Sequence, residues 1–315
     1  MTCKNMFNLR AWVKEFRLLF LIYVIVPVIL GSIISYKYYP EDFSVPYFLL
    51  SIVAILLLHA GTIAYNDYFD FKSGADVINE NRTPYTGGTG LLVDNVLKPS
   101  HVVIVGTVCF ILCIIIGLYI VFARSIMVLP IGIAGVAMGI FYTAPPLKLS
   151  YHGAGELMWF LSTPLMALGA LYVQKPVMSI SELIGTYDAA LAAVITTLPI
   201  AFLSSSGLLI LEFPDHDADR AARKNNLIVL MGRKNFLYMF ILVSLLSYIS
   251  LMASVISGSV TVKALFTLVS VPVMILTVIG LIKFYMKPQS MVRYIELMSI
   301  TIIIMSIAMI VALLF

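Results

Sequence analysis

The segment Tyr47–Asp76, YFLLSIVAILLLHAGTIAYNDYFDFKSGAD, decides the fold. Its first part, residues 47–65, is almost wholly apolar. About 20 such residues in a helix cross the roughly 30 Å hydrocarbon core of a bilayer. The first carboxylate of the segment, Asp67, comes only after the apolar run has ended. The segment therefore predicts a membrane span that leads directly into a cluster of acidic side chains.

The rest of the chain has the same character. Hydrophobic residues make up 61% of its 315 residues and charged residues only 11%, whereas a soluble domain is about one quarter charged. This composition excludes a soluble globular domain, a disordered chain and a secreted disulfide scaffold. The three cysteines form no metal-binding or disulfide pattern, and a net charge of +4 is too small to indicate nucleic-acid binding. We expect a polytopic membrane protein that binds no nucleic acid.

Nine apolar runs are long enough to be spans, and the alternating pattern of a membrane β-barrel is absent. We expect an all-α protein in which a single transmembrane domain, residues 18–315, follows an interfacial amphipathic segment, residues 1–17. The predicted spans are 18–35, 47–65, 101–122, 125–141, 157–173, 187–211, 236–257, 262–284 and 294–315.

The charges between these spans predict the orientation. With the N-terminus in the cytoplasm, the inner segments hold 16 of the 20 Lys and Arg residues and the outer loops hold four. This is the asymmetry that the positive-inside rule describes. The acidic residues divide in the same way, with 12 of 16 on the inner side. The pattern predicts a cytoplasmic N-terminus in an integral protein of the cell membrane.

Two inner loops carry most of these acids, namely residues 66–76 after span 2 and residues 212–220, EFPDHDADR, after span 6. Asn66 and Asp70 are four residues apart, as are Asp215 and Asp219. Residues at this spacing share one helix face, so each pair can direct two oxygen atoms to one point. The two pairs lie at the same offset from each other, with four spans between them. This indicates an internal duplication, in which spans 2–4 correspond to spans 6–8 and a site lies between the halves.

Paired oxygen ligands of this kind indicate Mg²⁺, which completes its shell with water and substrate phosphates. Facing carboxylates repel each other unless a cation bridges them. A glycine-rich loop, residues 85–90 (YTGGTG), could let backbone N–H groups approach a phosphate. Residues 141–149, FYTAPPLKL, end span 4 at two prolines and place Tyr142 and Lys148 at the same membrane face. Basic side chains near the acids are Lys72, Arg82, Lys148, Arg220, Arg223 and Lys224.

A Mg²⁺–diphosphate site at the mouth of an apolar bundle indicates prenyl transfer. An isoprenyl diphosphate has a polar head for the metal and a hydrocarbon tail for the bundle. Cations would stabilise the departing diphosphate electrostatically. The resulting allylic cation requires a dry cavity, where aromatic faces attract it by about 0.5–2 kcal/mol each.

The motifs resemble those of the UbiA superfamily of intramembrane prenyltransferases, and most closely its 1,4-dihydroxy-2-naphthoate prenyltransferases of menaquinone biosynthesis. The resemblance rests on residues 66–76, on Arg82 with the glycine-rich loop, on residues 142–156 and on residues 215–224. It implies Mg²⁺-dependent transfer of a polyprenyl group to an aromatic acceptor, with loss of the acceptor's carboxylate.

The resemblance also implies roles for particular residues. The metal would be held by the Asn66/Asp70 and Asp215/Asp219 pairs, and we include Asp67 and Asp76 among its ligands. As catalytic residues we predict Asp70, Asp219, Lys148 and Tyr142. The predicted diphosphate-binding residues are Lys72, Arg82, Tyr142, Lys148, Arg220 and Lys224.

The second acidic motif departs from the pattern of this branch. Glu212 stands where Asn is expected, and Arg223-Lys224-Asn225-Asn226 replaces the usual Gly-Lys-Arg-Thr. These departures leave the acceptor open. One alternative is a membrane terpene cyclase of the same fold, which acts on the prenyl diphosphate alone. Another is a membrane transporter, but a transporter should carry ionisable residues at mid-membrane depth, whereas these acids cluster at one face.

Overall fold

The computed structural model describes residues 9–315, apart from the side chain of Leu19. Within these residues the regular secondary structure is helical, and the only β-type pairing is an isolated bridge between Ser125 and Val177. The α-helices are α1 (Leu9–Glu15), α2 (Ile22–Tyr38), α3 (Val45–Ser73), α4 (Pro99–Ala123), α5 (Val128–Phe141), α6 (Gly155–Gln174), α7 (Ile180–Ile184), α8 (Tyr187–Ala221), α9 (Leu227–Ile256), α10 (Val271–Phe284) and α11 (Val292–Leu314).

Seven helical segments of the described chain are long and apolar enough to cross a membrane. They are α3, α4, α6, α8, α9, the unit Val262–Phe284 that ends in α10, and the unit Pro288–Leu314 that contains α11. The first and fourth predicted spans fall on two shorter apolar helices, α2 and α5. The all-α class is confirmed and the chain is an integral membrane protein, while the count of nine spans and the orientation stay predictions.

Helix α8 is the most buried of the seven segments and lies at the centre of the bundle, where it packs against α6, α9, α2 and α11. Ser and Thr side chains connect it to its neighbours. Ser244 on α9 bonds Ser206 at 3.0 Å, and Ser247 donates to the carbonyl of Pro199 at 2.7 Å. Such interhelical hydrogen bonds, together with small residues at the contacts, stabilise helix packing in lipid. These bonds hold α8 against α9 in the middle of the bundle.

The two acidic segments predicted as loops are helical, which corrects that prediction. Asn66–Ser73 forms the last two turns of α3, which Gly74 ends in a left-handed conformation with φ of 89°. Residues 212–221 form the last turns of α8 and continue the helix through Pro214. The apolar pattern marks where lipid contact ends, but these helices continue because their carboxylates find partners inside the protein. We call this part of the molecule the acidic end.

Helix α1 is packed against the protein at the acidic end. Ala11 belongs to a small buried cluster with Leu91, Leu92, Leu97 and Val102, and Trp12 packs against the same cluster. Leu9 and Val13 on the other face are exposed. Residues 1–8 of the predicted interfacial segment lie outside the described residues. The described part of that segment is both amphipathic and attached to the loop that follows α3.

Candidate active site

A polar cavity of about 110 Å³ lies between the ends of α3 and α8. It contains both acidic pairs that the sequence predicted, which confirms that the two helix ends meet. It also contains residues that were not selected from the sequence, among them Arg17, Asn79 and Asn226. The predicted site residues that line it are Asn66, Asp70, Asp76, Tyr142, Asp215, Asp219 and Lys224.

Lys224 joins the two acidic helix ends. Its Nζ lies 2.9 Å from Asp70 Oδ2 and 3.6 Å from Asp219 Oδ1, with only 14% of the side chain exposed. Burial disfavours the ammonium charge, but Asp219 and Asp70 outweigh it and raise the pKa of Lys224 well above its ordinary value. A positive charge therefore lies between the two carboxylates, at the position where the sequence predicted a cation.

Asp70 is also held from the side of α6. The hydroxyl of Tyr151 donates to Asp70 Oδ1 at 2.6 Å and lies 2.8 Å from Ser73 Oγ. Burial, and then the charge of Asp70, raises the pKa of the Tyr151 phenol, so this hydroxyl remains a donor. Asn66 Nδ2 donates to the other oxygen, Asp70 Oδ2, at 3.1 Å. The carboxylate is thus fixed in orientation by three different donors.

The carboxylates of α8 are held by two different loops. Asp215 accepts from Asn79 Nδ2 at 2.7 Å and from the backbone N–H of Gly87 at 3.0 Å, both in the loop after α3. Asp219 accepts from Asn226 Nδ2 at 2.8 Å, while Asn226 Oδ1 accepts from Val229 N and so caps α9. Asp215 is therefore positioned by the first half of the chain, and Asp219 by the second half.

Asp67 does not line the cavity, although the sequence placed it among the metal ligands. Its carboxylate forms an ion pair with Arg17 and accepts from the N–H and the hydroxyl of Thr89 at 3.2 and 2.9 Å. The Thr89 hydroxyl is also 2.9 Å from Glu15, which is fully buried. Burial, and then the charge of Asp67, raises the pKa of Glu15 to about 8. Asp67 thus fastens the N-terminal segment to the loop after α3.

The glycine-rich loop binds carboxylates in this structure. Its N–H groups at Gly87 and Thr89 donate to Asp215 and Asp67, where the sequence analysis expected them to face a phosphate. Gly88 has a φ of 72°, and a Cβ there would lie 2.2 Å from Asp76 Oδ2, so a larger residue does not fit. Burial, and then the charges of Asp70 and Asp67, raises the pKa of Asp76 to about 8. The loop ties the two acidic helix ends together.

Four predicted diphosphate contacts lie outside the cavity. Lys72 and Arg220 are exposed. Arg82 braces the loop after α3 through the carbonyls of Gly87 and Asp76, each at 3.1 Å. Lys148 Nζ lies 5.3 Å from the centre of the Tyr151 ring. The basic residues that do line the cavity are Lys224, which was predicted, and Arg17, whose place in a basic N-terminal cluster had indicated only topology and anchoring.

The residues fit a hard divalent cation as two facing pairs. Within residues 9–315 no three Asp, Glu, His or Cys side chains converge on one point. The donors at hand are the oxygen atoms of Asn66, Asp70, Asp215 and Asp219, and Lys224 lies between Asp70 and Asp219 as a single positive charge. Mg²⁺ commonly takes one or two carboxylates from the protein and completes its octahedron with water and phosphate. The donor set therefore suits a metal that arrives with a diphosphate.

A larger apolar cavity of about 470 Å³ lies among α2, α3, α4, α5 and α6. Phe141 lines the apolar cavity and the next residue, Tyr142, lines the polar cavity. Burial, and then Glu212 and Glu156, raises the pKa of the Tyr142 phenol, so its hydroxyl also remains a donor. The walls of the apolar cavity include Gly117, Gly132, Gly135 and Gly169. A molecule with a charged head and a hydrocarbon tail matches this arrangement.

Comparisons with known proteins agree with this geometry. The UbiA prenyltransferase family profile matches residues 24–311. The chain is 27% identical over 267 residues to the 1,4-dihydroxy-2-naphthoate octaprenyltransferase of Bacillus subtilis, covering 85% of this chain and 80% of that one.

Solved structures show the same fold. The apo structure of a UbiA homolog from Aeropyrum pernix K1 aligns with a TM-score of 0.70 at 16% identity, covering 92% of this chain and 97% of that one. A UbiA homolog from Archaeoglobus fulgidus bound to DMAPP and Mg²⁺ aligns with a TM-score of 0.61 at 15% identity, covering 95% and 99%.

Proposed function

The chain belongs to the UbiA prenyltransferase family and is a prenyltransferase, and on that premise we propose the reaction, its substrates and its site. It transfers a polyprenyl group from an isoprenyl diphosphate to an aromatic acceptor in quinone biosynthesis and releases diphosphate. The acceptor is 1,4-dihydroxy-2-naphthoate, by similarity to the Bacillus subtilis enzyme. The reaction takes place at the acidic end, on the cytoplasmic side of the cell membrane, within the domain formed by residues 18–315.

One observation carries this proposal. Two helix ends from different halves of the chain bring their carboxylates to one polar cavity, with the charge of Lys224 between Asp70 and Asp219. Phe141 lines the apolar cavity, and the next residue, Tyr142, lines the polar one. The diphosphate head of the substrate would occupy the polar cavity and its tail the apolar one. Burial of the tail contributes about 0.8 kcal/mol per CH₂ group, which favours long prenyl chains.

We propose that Asn66, Asp70, Asp215 and Asp219 would hold Mg²⁺ when the diphosphate binds. A UbiA homolog of the same fold, from Archaeoglobus fulgidus, binds DMAPP and Mg²⁺. The metal would neutralise the charge that develops on the leaving diphosphate. Lys224 and Arg17 supply further positive charge from the walls of the cavity. Tyr142 supplies a neutral O–H donor. Asp67 and Asp76 position these groups and do not complete the metal shell.

The chemistry follows from this placement. Cleavage of the bond between C1 and the diphosphate oxygen leaves an allylic cation at the junction of the two cavities, where water is largely excluded. A carbon of the electron-rich acceptor ring attacks C1. Loss of the acceptor's carboxyl group as CO₂ accompanies the transfer when the acceptor is 1,4-dihydroxy-2-naphthoate. The protein contributes mainly electrostatic stabilisation and exclusion of water.

The test is a product assay on the full chain in detergent. A panel of hydroxylated aromatic acids is offered with geranylgeranyl or longer diphosphates, with and without Mg²⁺, and the products are identified by mass spectrometry. We expect a prenylated, decarboxylated naphthalenediol that forms only with Mg²⁺. A cyclic hydrocarbon formed from the prenyl diphosphate alone would establish a terpene cyclase instead. Turnover without any divalent cation would contradict the metal site.

The chain offers a matched control for this assay. Asp217 lies between the two proposed ligands of α8, but its side chain is 59% exposed and pairs with Arg233 at 3.0 Å. Asp217→Ala should retain activity, whereas Asp219→Ala should lose it. Equal loss in both variants would indicate a general effect on α8 and would remove Asp219 from the metal site.

A further inference from the structure

Two glutamates at the polar cavity, the buried Glu156 and the half-buried Glu212, have no role in the mechanism above. Glu156 lies in the first turn of α6 and is 5% exposed. Glu212 lies on α8, three residues before Asp215, and lines the cavity. The sequence motif that contains Glu156 has no assigned function, and Glu212 stands where the resemblance predicts Asn. Glu212 therefore provides a carboxyl group where the resemblance predicts the amide of Asn.

Only one protein donor serves this pair among the described residues. The N–H of Leu227, the first residue of α9, donates to Glu156 Oε1 at 2.8 Å. Glu156 Oε2 and Glu212 Oε2 are both buried and have no hydrogen-bond partner within residues 9–315. The two side chains are close enough to hydrogen-bond to each other. Buried polar atoms are rarely left without a partner, so these two oxygens require an explanation.

A shared proton accounts for part of this pattern. One proton between the two carboxyl groups gives each of them a bond, with Glu156 held at the N-terminus of α9, where a negative charge is favoured. Lys224 directs its ammonium to Asp70 and Asp219, and among the described residues it makes no hydrogen bond or ion pair with either glutamate. An oxygen atom of Glu212 therefore remains at the cavity wall without a donor. A donor from a bound ligand would complete the arrangement.

We propose that the Glu156–Glu212 pair binds a hydroxyl group of the aromatic acceptor and takes up its proton, an inference that rests on the proposed function. As the ring carbon forms its bond to C1, the bond from C1 to the diphosphate oxygen breaks and diphosphate leaves. The hydroxyl proton passes to Glu212, and the proton of Glu212 passes to Glu156. The ring becomes a ketone at that position until loss of a ring proton, or of a carboxyl group as CO₂, restores the aromatic ring. The ring oxygen then takes a proton back from Glu212, which returns the pair to its single shared proton.

The proposal specifies the acceptor class. The acceptor must present a hydroxyl group at the cavity wall, and the corresponding methyl ether should be rejected, because it has no proton to donate. Sites that hydrogen-bond a substrate hydroxyl reject the analogue without it by large factors, since a buried polar group is then left unpaired. Tyr142, beside Glu212, provides the complementary donor on the same wall.

The experiment compares the wild-type protein with Glu212→Gln and with Glu80→Gln, which replaces an exposed glutamate in the loop after α3. Each protein is assayed with 1,4-dihydroxy-2-naphthoate and with its two monomethyl ethers. Binding of geranylgeranyl thiodiphosphate with Mg²⁺ is measured in parallel. For Glu212→Gln we expect kcat with the dihydroxy acceptor to fall roughly 10²–10⁴-fold, as for loss of a general base. We expect thiodiphosphate binding to stay within about twofold.

The decisive readout is the preference for hydroxyl over methoxy. Wild type and Glu80→Gln should discriminate by at least about 100-fold against one of the two ethers, and Glu212→Gln should lose most of that discrimination. An unchanged preference in Glu212→Gln would overturn the proposal. So would a fall in thiodiphosphate affinity as large as the fall in kcat, because the residue would then act on the donor substrate.

Two further measurements keep the outcomes separate. If Glu212→Gln does not fold, as judged by thermal unfolding, Glu212→Asn, which carries the residue that the resemblance predicts, is assayed in its place. Glu156→Gln should reduce kcat in the same direction. Wild type that prenylates hydroxylated and methylated acceptors equally well would refute this inference and leave the proposed function intact. Wild type that prenylates no aromatic acceptor would refute both.

Discussion

The ends of α3 and α8 each carry a pair of polar residues at the same spacing, Asn66 with Asp70 and Asp215 with Asp219, but the two pairs are held in different ways. Asp70 on α3 is held by Tyr151 and by Lys224, which follows α8 in the chain. Asp215 on α8 is held by Asn79 and Gly87, which follow α3. Each acidic end thus receives part of its support from the segment that follows the other helix. The comparison teaches that each half donates to a ligand of the other, so the full set of contacts forms only when both halves are packed together.

The largest effect is expected from the ligands themselves. Asp70→Ala and Asp219→Ala should each lower the rate of diphosphate release on the order of 10²–10³-fold or more, because charge stabilisation in the transition state is lost. The comparison predicts similar losses from both helix ends. Asp217→Ala is the control. Turnover like that of wild type in either ligand variant, measured by released diphosphate, would contradict the metal assignment.

The second test removes the charge that joins the two ends. Lys224→Met should destabilise the protein by about 3–5 kcal/mol, because two buried carboxylates lose their cation. Saturating Mg²⁺ should then raise the melting temperature more in Lys224→Met than in wild type, since the metal replaces the missing ammonium. Lys72→Met, at an exposed position, is the matched control. An equal response of all three proteins to Mg²⁺ would show that the metal does not bind between Asp70 and Asp219.

A smaller effect on Mg²⁺ binding is expected when a donor that orients one of the two aspartates is removed. Asn79→Ala removes a donor to Asp215, and Tyr151→Phe removes a donor to Asp70. Each should weaken Mg²⁺ binding by about 10–100-fold, as is typical for groups that orient metal ligands. Asn235→Ala is a suitable control, because Asn235 is exposed and bonds only the carbonyl of Met231 in the same helix. If Asn79→Ala left the Mg²⁺ titration unchanged, the reciprocal arrangement would not contribute to the site.

The smallest effect is expected at Lys148, which the sequence analysis placed in the catalytic set. In the structure its ammonium lies over the Tyr151 ring and outside the polar cavity. Lys148→Ala should therefore change KM for the prenyl diphosphate by only about two- to fivefold, through the lost contact with Tyr151. A loss of 100-fold or more in steady-state assays would return Lys148 to the diphosphate site.

The sequence predicts the lipid-facing architecture and the two acidic pairs, because both depend on local spacing. Apolar runs located the spans, and the i, i+4 rule placed Asn66 with Asp70 and Asp215 with Asp219. The helical form of the acidic ends was missed, because hydrophobicity ends there although the helices continue. Selecting basic residues by closeness along the chain placed Lys72 and Arg220 in the site. The side chains of Lys72 and Arg220 are exposed, and spacing along the chain does not show whether a side chain faces the cavity or the outside.

The positioning groups were not predicted for a different reason. Arg17 reaches Asp67 across 50 residues, and Asn79 reaches Asp215 across 136. Such contacts depend on how whole helices pack. Glu212 is the instructive case, because its departure from the expected Asn was visible in the sequence. The sequence could not show that its carboxyl group meets Glu156 at the cavity wall.

The glycines of the apolar cavity have a consequence for how such a protein changes over generations. A Cβ added at Gly117 or Gly132 would meet no other atom within 4 Å, and at Gly135 the nearest is 3.6 Å away, in ordinary contact. Replacement of these glycines by small residues, which needs only a single nucleotide change, can therefore reduce the apolar cavity in small steps without disturbing the fold. The acidic end has no such freedom, since even one methyl group at Gly88 collides with Asp76. Under the proposed function, the length of the prenyl tail that the protein accepts can change by mutation and selection, while the residues of the acidic end stay the same.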